Sequence, residues 1–440
     1  MISSAWIASV VRFLRDRRRR VVAAAAAVLA ILIVAWWSGA LRGVPKPSSI
    51  DSIATAARSR SVPNPFAALP KLQSMPPTAK DDELCGYGPV PIIDNIPQIP
   101  AEIQVAAYSA LADLAASLAR RSTERERALG LYFQRFAPSY GSCADDDKTC
   151  QFGAEEAVRN TVAQSRRDLI RLATTTSDAD VYALAIFSCP GEIGKPGKSE
   201  SEDCALLSYA QWARIEPDNA VPWLYLASEA GRRRDPRALD AALYRASQAQ
   251  YADPHQDQIP ALIASDAMAA LPPPIQSDLA ITLSGIQATF SAPDLFLLLH
   301  YCGLDGQIDS NRMQTCGDLA ATLIERDRSE IDGHFGTRIG EQLGWPAPRL
   351  ANLRDEAEAM EWQIWERQQR RQREDLRRTY SCDTLQWLRK NMLAQAQLGQ
   401  SGRLRQEFAA SGLKTSQAAE QWRAERQRRL QLSQAQKPAQ

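Results

Sequence analysis

Cysteine is the residue type in this chain best suited to covalent chemistry. All eight cysteines follow residue 84, their number is even, and no Cys-x-x-Cys pair occurs among them. An even set confined to one portion of a chain is typical of disulfides in an oxidising compartment. Zinc sites and thioredoxin-like centres need short spacings between their cysteines, which this sequence lacks. The pattern therefore predicts disulfide bonds, and it predicts neither a metal centre nor a cofactor.

Spacing along the chain suggests a partner for each cysteine. Cys189–Cys204 and Cys302–Cys316 each connect the end of one apolar helical segment to the beginning of the next, 15 and 14 residues later. Closing loops of this size stabilises a fold by about 3 kcal/mol in the chain-entropy model. Cys143–Cys150 would close an acidic loop, and Cys85–Cys382 remains by elimination. We expect these four bonds.

Residue spacing does not support other common active-site motifs. Gly194 to Ser199 invites comparison with a phosphate loop, but Glu192 stands where the first glycine is required, and no strand precedes it. Histidines are few and far apart in the sequence: His255, His300 and His334. We expect His300, on an apolar helical segment, to be a hydrogen-bonded core residue. The sequence therefore predicts no catalytic, cofactor-binding or metal-binding residue.

Paired carboxylates are the residues that would support an enzyme. Asp81-Asp82 and Glu155-Glu156 are adjacent acidic pairs, and two carboxyl groups can act as general acid and general base. Neither pair belongs to a recognisable catalytic motif, and carboxylates on a solvated surface are far commoner. An enzyme that acts on a cell-wall or surface polymer is the alternative hypothesis, with a carboxylate pair that the sequence does not identify.

A membrane anchor is predicted from one apolar run. Residues 21–41 carry no charge over 21 positions, which as a helix span roughly 30 Å, the thickness of one hydrocarbon core. Four consecutive arginines come directly before the run: Arg17, Arg18, Arg19 and Arg20. Arginine-rich flanks stay cytoplasmic, so we expect a single-pass bacterial inner-membrane protein with residues 1–20 in the cytoplasm and the bulk in the periplasm. A signal peptide cleaved near Ala40 is the alternative.

Three regions follow the predicted anchor. Residues 42–100 are rich in proline, a composition that predicts a periplasmic linker, extended over residues 43–80 and leading into the folded part after Cys85. Residues 101–347 show apolar side chains at helical spacing and few strand signals, so we predict an all-α fold. Residues 348–440 predict long, charged C-terminal helices of the kind that close the end of a solenoid.

Packing residues of a helical repeat are found between Cys204 and Pro254. Small residues, aromatic residues and a closing proline follow one another in fixed register: Ala205, Tyr209, Pro217, Trp223, Leu226 and Ala227. This segment resembles the tetratricopeptide repeat (TPR), a helical hairpin of about 34 residues. The small residues would let paired helices approach, and Trp223 and Leu226 would fill the groove between neighbouring helices.

The resemblance extends to an array of helical hairpins. Helix pairs are expected to begin near Asp178, Asp218, Gln256, Ala292 and Ser329, a step of roughly 36–40 residues. The resemblance implies that such an array binds peptide segments or partner domains on a concave surface. We therefore expect a protein-interaction scaffold of the cell envelope whose partner is an envelope protein or peptide segment. Nucleic acid is not expected as a partner of an exported chain.

Charge divides the chain into an acidic body and a basic tail. Residues 349–440 hold 18 basic and 11 acidic side chains, a net +7, whereas the whole chain carries +1. The tail could fold back onto the body, or it could bind an anionic lipid or polymer. Two differently solvated surfaces explain the same pattern equally well.

Overall fold

The structure is a computed structural model that describes residues 81–93, 96–136, 148–189, 202–290, 292–303, 309–325, 328, 330–373 and 379–435. The predicted anchor at 21–41, with the arginines before it, lies outside the described residues. Cys143, with its predicted bond to Cys150, lies outside them too. Within the described residues, no helix is both long enough and apolar enough to cross a membrane.

Helices make up most of the described residues, as expected from the sequence. In chain order they are α1 (Ala101–Ala119), α2 (Glu124–Gln134), α3 (Lys148–Thr175), α4 (Ala179–Phe187), α5 (Tyr209–Ile215), α6 (Ala220–Arg233), α7 (Pro236–Ser247), α8 (Gln258–Ala264), α9 (Asp266–Ala269), α10 (Pro273–Gln287), α11 (Leu295–Gly303), α12 (Ser310–Glu325), α13 (Glu330–Gln342), α14 (Ala347–Arg373), α15 (Cys382–Ser411) and α16 (Thr415–Ala435). A short 3₁₀ helix covers Asp203–Leu206.

Side-chain caps determine where several of these helices begin. The first turns of α2, α4, α6, α7 and α15 each donate a backbone N–H to a capping side chain: Thr123, Asp178, Asn219, Asp235 and Ser381. Such caps satisfy donors that have no partner inside the helix. The helices α4, α6, α8, α11 and α13 begin within three residues of the five predicted starts.

A small antiparallel sheet precedes the helices. It consists of β1 (Asp81–Leu84), β2 (Gly88–Ile93) and β3 (Ile96–Pro97), in the order β1-β2-β3. Leu84 and Val90 are buried together with Ile99, which precedes α1, and Ile103, which lies on α1. The last part of the predicted linker over 42–100 therefore forms a sheet, and the other elements of the described residues are helices. The short strands depend on packing against α1, which local composition does not reveal.

Helix packing extends beyond consecutive pairs. α6 packs with α7 and α12 packs with α13, as consecutive hairpins would. In addition, α1 packs against α10, α7 against α12, and α8 against α15. In an ideal solenoid each repeat contacts only its neighbours. Here buried apolar side chains from α1 to α15 belong to one cluster, so elements far apart in sequence share a core.

Three disulfides lie within the part of the chain that the structure describes. They are Cys85–Cys382, Cys189–Cys204 and Cys302–Cys316, the same pairs that were expected from the sequence. Cys85–Cys382 joins residues 297 positions apart and ties the turn between β1 and β2 to the start of α15. The backbone N–H of Cys85 also donates to the carbonyl of Tyr380 at 2.8 Å. This end of the helical body is therefore held both covalently and by backbone pairing.

The charged C-terminal helices pack with one another. α14 and α16 lie side by side, and Arg423 of α16 pairs with Asp355 and Glu358 of α14. α15 is interrupted at Gly399, where φ is +68°. Beyond this kink the side chain of Arg403 is buried and donates to Asn391 Oδ1 at 2.7 Å. The basic tail thus pairs in part with its own carboxylates.

Candidate functional site

The predicted repeat residues do not lie on one continuous helix. Ala205 is exposed in the 3₁₀ helix, whereas Tyr209 is the first residue of α5. The two residues belong to different helices, because Ser208 caps a new helix between them. Tyr209 stacks on Tyr225 of α6, with ring centroids 4.8 Å apart. The approach of α5 to α6 depends on this aromatic pair.

The two tryptophans of this region differ in burial. Trp223 and Leu226 are only partly buried and pack at the edge of the core, whereas Ala227 is buried. Nε1 of Trp223 donates to the carbonyl of Pro217 at 3.0 Å. This hydrogen bond links α6 to the turn between α5 and α6. Trp212 of α5 is 0 % exposed. It is the main tryptophan of the core here.

His255 lies between two carboxylates. Its Nδ1 is 2.8 Å from Oδ1 of Asp180, and its Nε2 is 2.6 Å from Oε2 of Glu216. Because ionised carboxylates only accept hydrogen bonds, both ring nitrogens donate and the ring is an imidazolium. His255 has a φ of +55°, a conformation that residues other than glycine rarely adopt. The two hydrogen bonds hold the residue in that conformation.

Burial and charge act in opposite directions on these three groups. Burial lowers the pKa of His255, but the neighbouring carboxylates of Asp253, Asp180 and Glu216 outweigh it and hold that pKa well above its ordinary value. Burial raises the pKa of Asp180 and of Glu216, but the hydrogen bonds to His255 outweigh it and hold both pKa values below their ordinary range. At neutral pH all three groups are therefore charged.

Further ion pairs extend from this histidine. Arg125 of α2 pairs with Asp180. On the other side, Nε of Arg328 is 3.2 Å from Oδ2 of Asp253, and the same guanidinium also pairs with Asp257. Burial raises the pKa of Asp257 to about 7, although Arg328 opposes the shift. We call this group the His255 network; it comprises Arg125, Asp180, Glu216, Asp253, His255, Asp257 and Arg328.

The geometry of the His255 network suits a structural role. The two carboxylates that contact His255 have further donors, since Arg125 binds Asp180 and Tyr251 binds Glu216. A general acid or base must reach its substrate, and neither of the two grooves described below includes these residues. Within the part of the chain that the structure describes, no cluster of three or more metal-ligating side chains is present.

An open groove lies along α15 beside the Cys85–Cys382 bond. Its volume is about 320 Å³, and its walls come from α8, α10 and α15. We call it the α15 groove; its lining residues are Ala264, Gln276, Cys382, Leu385, Gln386, Arg389, Lys390 and Leu393. Leu385 is buried, whereas Leu393 is 49 % exposed. The groove therefore combines apolar surface with two amides and two cations.

A second groove lies among α13, α14 and α16. Its volume is about 260 Å³ and most of its lining is charged. Arg338 and Arg354 both pair with Glu341. Burial raises the pKa of Glu341, but the two arginines outweigh it and hold that pKa below its ordinary value. A general acid needs a raised pKa, so Glu341 is not suited to that role.

Comparisons with known proteins do not assign a family. No family model matches the chain, and neither the curated proteins nor the solved structures contain a significant match.

Neither the His255 network nor the α15 groove was predicted from the sequence. His255 is 75 residues from Asp180 and 39 residues from Glu216, so no local pattern groups the three. His300, expected in the core, is exposed on α11. The groove was missed because three helices that are distant in sequence form it, although Cys382 at its edge was identified. The sequence signal for the network was the polar turn after α5, which contains Glu216 and Asn219. Polar side chains that become buried on folding need hydrogen-bond partners.

Proposed function

We propose that this protein is a membrane-anchored scaffold of the bacterial cell envelope that binds an envelope protein or peptide segment in the α15 groove. Residues 21–41 would cross the inner membrane, with the N-terminus in the cytoplasm and the helical body in the periplasm. The observation that carries the proposal is the groove, in which exposed Leu393 lies beside Arg389 and Lys390. Recognition surfaces on proteins combine apolar and polar groups in this way.

The disulfides support an extracytoplasmic location. Thiols are kept reduced in the cytosol, whereas disulfides persist in the periplasm. Cys85 is buried but Cys382 is exposed at the edge of the α15 groove. A bond with an exposed partner would be accessible to cytosolic reductants, so its persistence fits an oxidising compartment.

Helical hairpins support a binding role and a TPR-like relationship. α5, α6 and α7 follow one another with short connections, and each packs against the next. The turn between α5 and α6 contains Pro217, and Trp223 donates to it. By resemblance, arrays of this type present surfaces for peptide segments. The same resemblance supports a scaffold more than it supports an enzyme.

An envelope enzyme acting on cell-wall or surface polymer is the second candidate. The observation in its favour is the charged groove, where Glu341, Glu358 and Glu361 lie close together. Hydrolysis of wall fragments by the wild type, abolished in Glu361→Gln, would favour this candidate. No turnover of wall fragments by either protein would favour the scaffold.

In-cell crosslinking, followed by detergent solubilisation and mass spectrometry, tests the scaffold proposal. We expect one or a few envelope proteins to be recovered with the wild type and lost with Trp212→Ala, which removes a side chain that is 0 % exposed. Gly285→Ala is the matched control, because a Cβ at this position meets nothing within 4 Å. Recovery of the protein alone, or only of its own oligomer, would contradict the proposal.

A further inference from the structure

We infer that the α15 groove recognises a short peptide segment in which carboxylates alternate with apolar side chains. This inference rests on the proposed scaffold function and specifies the chemistry of its partner. It is drawn from the arrangement of four groove residues on α15: Gln386, Arg389, Lys390 and Leu393. Their spacing of three and four positions places them along one side of the helix.

The length of the groove suits a peptide. From Cys382 to Leu393 the helix rises by roughly 16 Å, which equals about five residues of extended chain. Cys382 and Leu393 both line the groove, so its lining extends over this length. α8 contributes Ala264 and α10 contributes Gln276 to the opposite wall. The amide of Gln276 donates to the carbonyls of Ala269 and Leu271, which anchors this wall to the backbone.

The two cations of the groove lack carboxylate partners among the described residues. Nε of Arg389 is buried and has no hydrogen-bond acceptor within that part of the chain. Nε of Arg405 is likewise buried without a hydrogen bond, but Arg405 has an ion-pair partner in Glu356, and Arg428 has one in Glu425. Because Nε is enclosed by protein, a carboxylate from a bound segment would pair with the terminal guanidinium nitrogens of Arg389 and with the ammonium of Lys390.

Apolar surface distinguishes a peptide from other anionic ligands. Leu393 is 49 % exposed and Leu385 lies beneath the groove. A sugar polymer or a phosphate group would pair with Arg389 and Lys390 but would leave Leu393 in water. A segment with an apolar side chain next to a carboxylate covers the leucine and neutralises the cations together. Charge and apolar surface therefore favour an acidic peptide.

Fluorescence anisotropy with the full-length protein in detergent tests this inference. The probe is a labelled peptide of alternating leucine and glutamate, about ten residues long to exceed the groove. We expect R389E/K390E to weaken binding by at least about tenfold, because the variant turns the attraction between the groove and the peptide carboxylates into repulsion. R237E/R245E is the matched control, because it makes the same charge change at exposed positions on α7 and should bind like the wild type.

Two further peptides separate charge from apolar contact. Replacing glutamate with glutamine should weaken binding by at least about tenfold, and replacing leucine with serine by at least about fivefold. L393S should weaken binding of the leucine peptide and leave that of the serine peptide unchanged. Unchanged affinity in R389E/K390E overturns the inference. Equal binding of the leucine and serine peptides also overturns the inference. In that case, competition by dextran sulfate as strong as that by the peptide would identify a site for polyanions.

The outcome for this groove can be separated from the outcome for the scaffold function. If crosslinking in cells recovers the same envelope proteins from the wild type and from R389E/K390E, the scaffold function stands and the assignment to this groove is wrong. If no envelope protein is recovered from the wild type, the scaffold function itself is wrong. A circular dichroism spectrum and a melting temperature equal to those of the wild type would establish that R389E/K390E is folded in both experiments.

Discussion

Nε2 of His255 lies 2.6 Å from Oε2 of Glu216, although 39 residues separate the two in sequence. This contact ties the segment before α8 to the turn between α5 and α6. On the other side of the ring, Nδ1 of His255 contacts Asp180, so the same histidine also links these two segments to α4. Breaking a buried ion pair by removing one partner is strongly destabilising. The His255 network therefore joins helical hairpins that are not consecutive in the chain.

Replacing His255 tests this network. Because His255→Gln leaves Asp180 and Glu216 buried without their shared counter-charge, we expect the free energy of unfolding to fall by about 3 kcal/mol at pH 7. The deficit should shrink toward pH 4. In the wild type both carboxylates have lowered pKa values, so their stabilisation is lost as acid protonates them, whereas the unpaired carboxylates of the variant are stabilised by protonation. Urea unfolding from pH 4 to pH 9 measures the difference.

The titration of His255 determines how this difference in the free energy of unfolding changes at alkaline pH. Its folded pKa is raised, so its contribution to stability is fully present below about pH 6.5 and is lost only as pH rises through the raised folded value. The difference between the wild type and His255→Gln should therefore be largest between about pH 5 and about pH 6.5. His300→Gln, at an exposed position, is the control and should change stability by less than about 0.5 kcal/mol. A deficit independent of pH would contradict this account.

Removing disulfides should have unequal effects. The loop closed by Cys85–Cys382 spans 297 residues, and that closed by Cys302–Cys316 spans 14. In the chain-entropy model these loops stabilise by about 6 and about 3 kcal/mol, respectively. We therefore expect C85S/C382S to unfold at a lower urea concentration than C302S/C316S. Equal midpoints would show that the long loop adds no restraint. Peptide mapping without reductant should also recover the predicted Cys143–Cys150 bond.

Two tryptophans should differ in their importance for stability. Trp212 is 0 % exposed, whereas Trp223 is partly buried. We expect Trp212→Ala to lower the free energy of unfolding by about 3–5 kcal/mol, because it leaves a cavity in the core. Trp223→Ala should lower it by about 1–2 kcal/mol through loss of edge packing and of the hydrogen bond to Pro217. Thermal unfolding followed by circular dichroism distinguishes them, and the reverse order would refute this assignment.

A glycine controls the approach of α1 to α2. A Cβ at Gly130 would lie 2.2 Å from the backbone nitrogen of Ala119 and 2.6 Å from the carbonyl oxygen of Ala115. The two helices would have to separate, so Gly130→Ala should lower the free energy of unfolding by about 2 kcal/mol or more. Gly285→Ala, where the Cβ meets nothing within 4 Å, should raise it by about 0.5–1 kcal/mol. Opposite signs in denaturant unfolding would confirm the close contact.

Local features of this protein could be predicted from the sequence alone. The spacing of the helix pairs predicted five helix starts to within three residues, and two of these helices begin at the side-chain caps Asp178 and Asn219. Cys189–Cys204 was predicted because the loop is short and two apolar segments flank it. Helical periodicity indicated the fold class for the same reason: it depends on neighbours within one or two turns.

Only the tertiary structure decided which surfaces meet. Periodicity shows that a helix has a buried face, but it does not show which distant helix covers that face. For this reason the sequence did not distinguish buried Trp212 from Trp223 at the edge, and it left His255 isolated. The strands after residue 80 depend likewise on α1 and on Cys382. The α15 groove exists because α8, α10 and α15 pack together, and packing between distant segments is determined by the burial of the whole core.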